Sequence, residues 1–300
     1  MRLPTSKTHP SYPHLILMND RSKTLESHFL LGAIVCAALL IVNYFALVGT
    51  PLGHQLDDAA LLGGKTLDQK IIALDADILN LVRKRTLPFA VVVTLAVAVV
   101  RRCTFVGVIA AAAFACAVTG AEALKHLLPW RVMVRDDAML GSGFQTNTYP
   151  SGHTTAVTSL ALSLLLVSPS RWRPWLATAG GCISATFATG VLFAGWHRPS
   201  DVLGALAWSG LCMSVAAAFV IRFQGRQRPV CAFPRRAAFD CITLGILVAA
   251  ATWLFSAAAV PAYPLAGFVL TGFIIAGSFT LIAWYGWQLR AVAWPADSIA

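Results

Sequence analysis

Apolar and polar positions fall into long alternating blocks along this chain. Apolar runs occupy about 29–49, 87–102, 104–126, 152–168, 174–195, 201–221, 241–260 and 265–287. A helix needs about 20 such residues to cross a bilayer, and each run lies near that length. Punctuation between the runs agrees. Gly49-Thr50-Pro51 ends the first, Arg101-Arg102 closes the second with stems that snorkel to the interface, and Pro129 stops the third. Ser168-Pro169-Ser170-Arg171 turns the chain, and Pro261-Ala262-Tyr263-Pro264 joins the last two runs.

The polar intervals predict the rest. Residues 1–28, with Pro4, Pro10 and Pro13, read as a disordered cytoplasmic tail. The first apolar run starts too far from the N-terminus for a signal peptide, so an uncleaved anchor is expected. Residues 50–85 read as a polar loop with one amphipathic stretch, where Leu67, Ile71, Leu74, Ile78 and Leu81 recur at helical spacing. That stretch is either an interfacial helix flanking a substrate entrance or a helix packed on the loop face of the bundle. Residues 223–239 form a basic loop, 240–288 a C-terminal helix pair, and 289–300 a tail.

Composition fixes the class. Of 300 residues, 57% are hydrophobic and 12% charged, with a mean hydropathy of +0.70. That is an all-α, polytopic membrane helical bundle, without an internal repeat. The net charge of +10 raises a nucleic-acid partner, which the distribution of charge excludes. With the N-terminus in the cytoplasm and eight alternating segments, fourteen of the 23 Lys and Arg fall inside against four acidic residues. The outer side carries nine of each sign. The basic excess is therefore the positive-inside signature of a multi-pass protein of the cytoplasmic membrane. The seven cysteines lack metal or redox spacing and read as small apolar residues.

With that orientation, polar residues collect at the outer ends of helices. Lys125, Arg131, His153, His197 and Asp201 all fall there. In His197-x-x-x-Asp201 a carboxylate stands one helical turn from an imidazole, able to accept one ring N–H and leave the other nitrogen basic. Pro150-Ser151-Gly152-His153 adds a second imidazole beside a small, flexible backbone at a helix start, where N–H groups favour an anion. Cations, two histidines and a Ser-Gly turn suit phosphoryl chemistry with a nucleophile and a separate acid. Plainer roles stand beside these. Lys125 also reads as a snorkelling lysine paired with Glu122. Trp130, Tyr149 and Trp196 read as an interfacial aromatic belt, His126 as an interfacial histidine, and Arg135 as a solvated loop residue.

These motifs resemble those of the type 2 phosphatidic acid phosphatase (PAP2) and vanadium haloperoxidase superfamily: Lys-x6-Arg-Pro, Pro-Ser-Gly-His and Ser-Arg-x5-His-x3-Asp. The second is matched fully and the third in its His197-x3-Asp201 core, over about residues 29–222. The resemblance implies a six-helix PAP2-like membrane core over 29–222, with the last two helices as an addition. It implies a phosphatase acting without metal or cofactor on a lipid phosphate such as a polyprenyl pyrophosphate or phosphatidic acid. His197 would attack phosphorus, Asp201 would orient it, and His153 would protonate the leaving oxygen. Lys125, Arg131, Ser151 and Gly152 would hold the phosphoryl group. The first motif is one residue short and has Val132 for proline, and Gly190-Val191 stand where the third has Ser-Arg. Arg198 is then the nearest substitute cation, although neighbours on a helix point about 100° apart. A lipid phosphotransferase with the same phosphohistidine and a non-catalytic lipid-binding protein are the alternatives. A haloperoxidase fits least, since no soluble body surrounds the motifs.

Overall fold

The computed structural model describes residues 13–64, 79–80, 86–129, 147–224, 235–259, 265–292 and 294. Nine α-helices of five residues or more occur among them, in an all-helical architecture. They are α1 (Pro13–Asn43), α2 (Pro51–Gly64), α3 (Thr86–Val100), α4 (Thr104–Leu127), α5 (Gly152–Val167), α6 (Arg173–Phe193), α7 (Pro199–Gln224), α8 (Arg235–Ala259) and α9 (Leu265–Gln288). A π-helical turn, Tyr44–Val48, extends α1. Five helical spans are long and apolar enough to cross a membrane: Lys23–Val48, Thr104–Leu127, Ser170–Phe193, Pro199–Gln224 and Gly267–Gln288. Leu87–Val100 and Gly152–Val167 are shorter apolar helices. The protein is a polytopic helical membrane protein.

Each apolar run expected from the sequence is a helix, with ends shifted by a few residues at most places. Two differences are larger. Helix α1 begins at Pro13, inside the stretch read as a tail, and Leu25 and Phe29 on it join the core. Residues 50–64, read as loop, contain α2. The start of α2 is set locally: Pro51 takes the first helical position, and Thr50 Oγ1 accepts the Gly53 N–H at 3.0 Å. Of the amphipathic stretch 67–81, only Leu79 and Asn80 are described, and Leu79 is buried against Val191, Leu192, Val202 and Ile274. The other residues of that stretch, and Arg131, Arg135 and Trp130 of the loop after α4, lie outside the described residues.

Helix α5 occupies the middle, packed by α3, α4, α6, α7 and α9. Several of its interior hydroxyls find partners there. Thr158 and Ser184 Oγ atoms lie 2.6 Å apart, and Thr155 Oγ1 donates to Ser151 O at 2.8 Å. Between lipid-embedded helices, packing and such bonds replace the hydrophobic effect as glue, at roughly 0.6 kcal/mol per bond. Small residues let the helices close. The Phe279 ring of α9 sits where a side chain at Gly181 of α6 or Gly245 of α8 would go. Helix α1 joins the bundle against α7 and α9, where the Phe29 and Tyr285 rings meet edge-on at 5.5 Å. Leu30, Leu31, Ile34 and Ile41 on the same helix point outward, as a lipid-facing side requires.

The described residues of the segment read as a C-terminal tail, 289–292 and 294, are tied down. Leu289–Ala291 form a 3₁₀ turn, Arg173 Nη1 donates to Leu289 O at 2.6 Å and Val292 O at 2.7 Å, and Trp294 Nε1 donates to Leu166 O at 2.7 Å. Arg173, counted from the sequence as a loop charge, is fully buried there.

Candidate active site

The two histidine motifs meet at the N-terminal ends of α5 and α7. Ser151 is the N-cap of α5, its Oγ accepting the Thr154 N–H at 3.4 Å. Gly152 and His153 then form the first turn, where main-chain N–H groups carry the positive end of the helix dipole. Tyr149 positions this turn from behind. Its ring fills the space beside Gly204 on α7, leaving no room for a side chain there. Its hydroxyl donates to Leu40 O at 3.1 Å and accepts from Asn43 Nδ2 at 3.3 Å. Burial pushes that hydroxyl up to about 12, so it stays a neutral donor. The sequence suggested an interfacial belt residue; Tyr149 is only 2% exposed and acts as a tie between α1, α5 and α7.

The second motif occupies the turn from α6 to α7. Gly195 adopts φ 69°, which a side chain disfavours, and the chain doubles back so that Trp196 and His197 N–H both donate to Val191 O, at 3.0 and 3.1 Å. Arg198 is the N-cap of α7: its carbonyl accepts from the N–H groups of Asp201 and Val202. Pro199 takes the first helical position. Asp201 reaches back from the first turn, as the acidic residue of a capping box does, and its Oδ2 accepts the Arg198 N–H at 3.0 Å. The same oxygen accepts from Thr148 Oγ1 at 2.6 Å and lies 3.3 Å from His197 Nδ1. Asp201 is 2% exposed and His197 8%. One carboxylate thus holds the imidazole, the helix start and the residue just before Tyr149.

Residues from three helices converge. The His153 ring lies 5.4 Å from that of Trp196, the neighbour of His197. His153 lies within electrostatic range of both His197 and Lys125. Lys125 Nζ, at the end of α4, would lie 3.6 Å from a Cβ on Gly152. It is also paired with Glu122 at 2.9 Å, the plainer of its two sequence readings.

Arg198 has a different partner from the one suggested by the sequence. Its Nε donates to Asp58 of α2 at 2.7 Å, and the side chain is 3% exposed. Next to it, Asp57 Oδ1 accepts the Ser200 N–H at 3.0 Å. Asn43 Nδ2 donates to Ser200 O at 2.9 Å. Asn43, Asp57, Asp58 and Thr148 were missed from the sequence because their partners are remote in the chain; only the Thr50-Pro51 helix start pointed toward α2. Val191 is fully buried among apolar side chains, with no cation in that cluster among the described residues. Among the described residues no three of His, Cys, Asp and Glu group as metal ligands would.

Beside the site, between α1, α7 and α9, lies an apolar cavity of about 360 Å³. Leu39, Val42, Leu203, Leu206 and Leu281 line it, together with Asn43, the residue that binds Ser200 O.

A search among curated proteins finds no match, and neither does a search among solved structures. The PAP2 superfamily model matches residues 101–225, a stretch that contains Lys125, His153, His197 and Asp201 but not α1, α2, α3, α8 or α9. Residues 101–225 are therefore a PAP2 superfamily domain, built into a larger helical membrane protein.

Proposed function

We propose that the protein is a lipid-phosphate phosphatase that works through a phosphohistidine on the outer face of a cytoplasmic membrane. The observation that carries this reading is that the His153 ring, at the start of α5, lies 5.4 Å from that of Trp196, the neighbour of His197, whose Nδ1 lies 3.3 Å from the buried Asp201 carboxylate. With Nδ1–H donating to Asp201, His197 keeps the Nε2 lone pair for attack on phosphorus. The P–O bond to the lipid breaks as the N–P bond forms, and His153 delivers a proton to the departing oxygen. His153 then takes a proton from water, whose oxygen displaces His197 and releases inorganic phosphate. Lys125, the Ser151 hydroxyl and the first-turn N–H groups at Gly152 hold the phosphoryl oxygens, and on the family resemblance Arg131 joins them. Proton transfer of this kind contributes about 10²–10⁴-fold in rate.

The apolar cavity beside Asn43 favours a lipid over a soluble phosphate, since it offers a hydrocarbon chain a place next to the helix that bears Asp201. Six helices of the core with a C-terminal pair, the site facing outward, complete the proposal. A phosphotransferase would share every step except the acceptor. The apolar packing of Val191 favours a second reading, a lipid-binding protein without turnover. The test is phosphate release from purified protein across phosphatidic acid, a prenyl pyrophosphate and other lipid phosphates. Release by wild type, lost in His197→Ala and His153→Ala, supports the enzyme; no release from any of them supports the second reading.

A further inference from the structure

The α7 N-terminus carries an unusual assignment of roles. An N-cap side chain normally accepts a hydrogen bond from an N–H of the first turn. Here the N-cap is Arg198, whose side chain has only donors. The acceptor arrives instead from α2: Asp57 Oδ1 takes the Ser200 N–H at 3.0 Å, and Asp57 is fully buried. Its carboxylate also sits at the positive end of the α7 dipole. The adjacent Asp58 takes the Nε of the N-cap residue itself at 2.7 Å. Two consecutive carboxylates thus cap α7 from another helix, one through its main chain and one through its N-cap side chain.

The first turn so fixed is the one that bears Asp201. A rotation of that turn would move Asp201 Oδ2, which aligns His197 Nδ1 and the Arg198 N–H together. Helix α2 lies outside the matched family domain, so this support comes from the remainder of the chain. We infer that Asp57 and Asp58 are positioning residues that set the orientation of His197 by capping α7 in place of its own N-cap. As an account of catalysis this rests on the phosphatase reading; as an account of His197 orientation it does not.

The experiment has two arms on the full-length protein in detergent. The first follows hydrolysis of dioctanoyl phosphatidic acid. Asp57→Ala is expected to lower kcat about tenfold to 100-fold with KM little changed, since a misplacement near 1 Å has effects of that size. Asp57→Asn, which keeps the accepting oxygen, is expected to restore most of the rate. The second arm needs no turnover: it measures the rate at which diethyl pyrocarbonate modifies His197, read by peptide mass spectrometry. Loosening the Asp201 bond lowers the nucleophilicity of the ring, so Asp57→Ala is expected to slow labelling and Asp57→Asn to restore it. Asp58→Ala, at a more exposed position, gives the same pattern in milder form and serves if Asp57→Ala does not fold. Wild-type labelling in Asp57→Ala or, failing that variant, in Asp58→Ala would overturn the inference, as would an Asp57→Asn protein as impaired as Asp57→Ala. If no variant and no wild type hydrolyses lipid while labelling follows the expected order, the phosphatase reading fails and the positioning role stands.

Discussion

The main-chain N–H of Ser151 donates to the main-chain carbonyl of Asp201 at 2.9 Å. This one bond joins the turn before α5 to the first turn of α7, and so joins the two histidine motifs through backbone alone. Side-chain substitution at either residue leaves it in place. The separation of the motifs is therefore set by how closely α5 and α7 approach, which makes the packing residues around them as consequential as the histidines.

Gly204 and Tyr149 provide the clearest case. A methyl group at Gly204 would overlap the Tyr149 ring, in a buried place where neither can yield freely. Gly204→Ala is expected to destabilise the protein by about 1–3 kcal/mol, as overpacking does. It should also lower activity, because Tyr149 leads directly into Pro150-Ser151. Tyr149→Phe loses only the hydroxyl bonds to Leu40 and Asn43 and is expected to cost about 1 kcal/mol. Thermal melts in one detergent, with the two variants side by side, check the order.

Gly152 should behave in the opposite way. Among the described residues, a Cβ there would meet only Lys125 Nζ, at an ordinary 3.6 Å. Gly152→Ala is therefore expected to leave stability within about 0.5 kcal/mol of wild type, as at an unstrained position. The methyl group would instead occupy the space between Lys125 and the first turn of α5, where the phosphoryl group is proposed to bind. A loss of kcat/KM of about tenfold or more with an unchanged melt is the expected result, since small misplacements at a reacting centre are costly.

Much of the site was legible because its chemistry is local. His197 and Asp201 stand four residues apart across one helix start, and Ser151 to His153 are contiguous. Those spacings survive whatever the rest of the chain does. The long apolar runs were legible for the same reason, since bilayer thickness imposes their length. What stayed hidden is non-local. Asp57 and Asp58 read as two acids in a polar loop, and Thr50-Pro51 reads as the end of one helix when it is also the start of another. Arg198 looked like a free cation because nothing in sequence ties it to Asp58. Tyr149 looked interfacial because aromatic residues at helix ends usually are, whereas Gly204 makes room for it inside.

The proposed orientation makes a separate prediction. In a chain whose own cysteines have been replaced, Leu140→Cys is expected to react with a membrane-impermeant maleimide from outside intact cells, and Val230→Cys only after the membrane is opened. Lys and Arg counts on the two sides require this pattern. The reverse pattern would put the site on the cytoplasmic face.

The central claim is that His197 itself carries the phosphoryl group. Purified protein mixed with phosphatidic acid labelled with ³²P, then quenched at alkaline pH where phosphohistidine survives, tests it most directly. Label on the peptide containing His197, present in wild type and absent in His197→Ala, is the predicted result. Hydrolysis that proceeds without label on that peptide, or undiminished in His197→Ala, would contradict it.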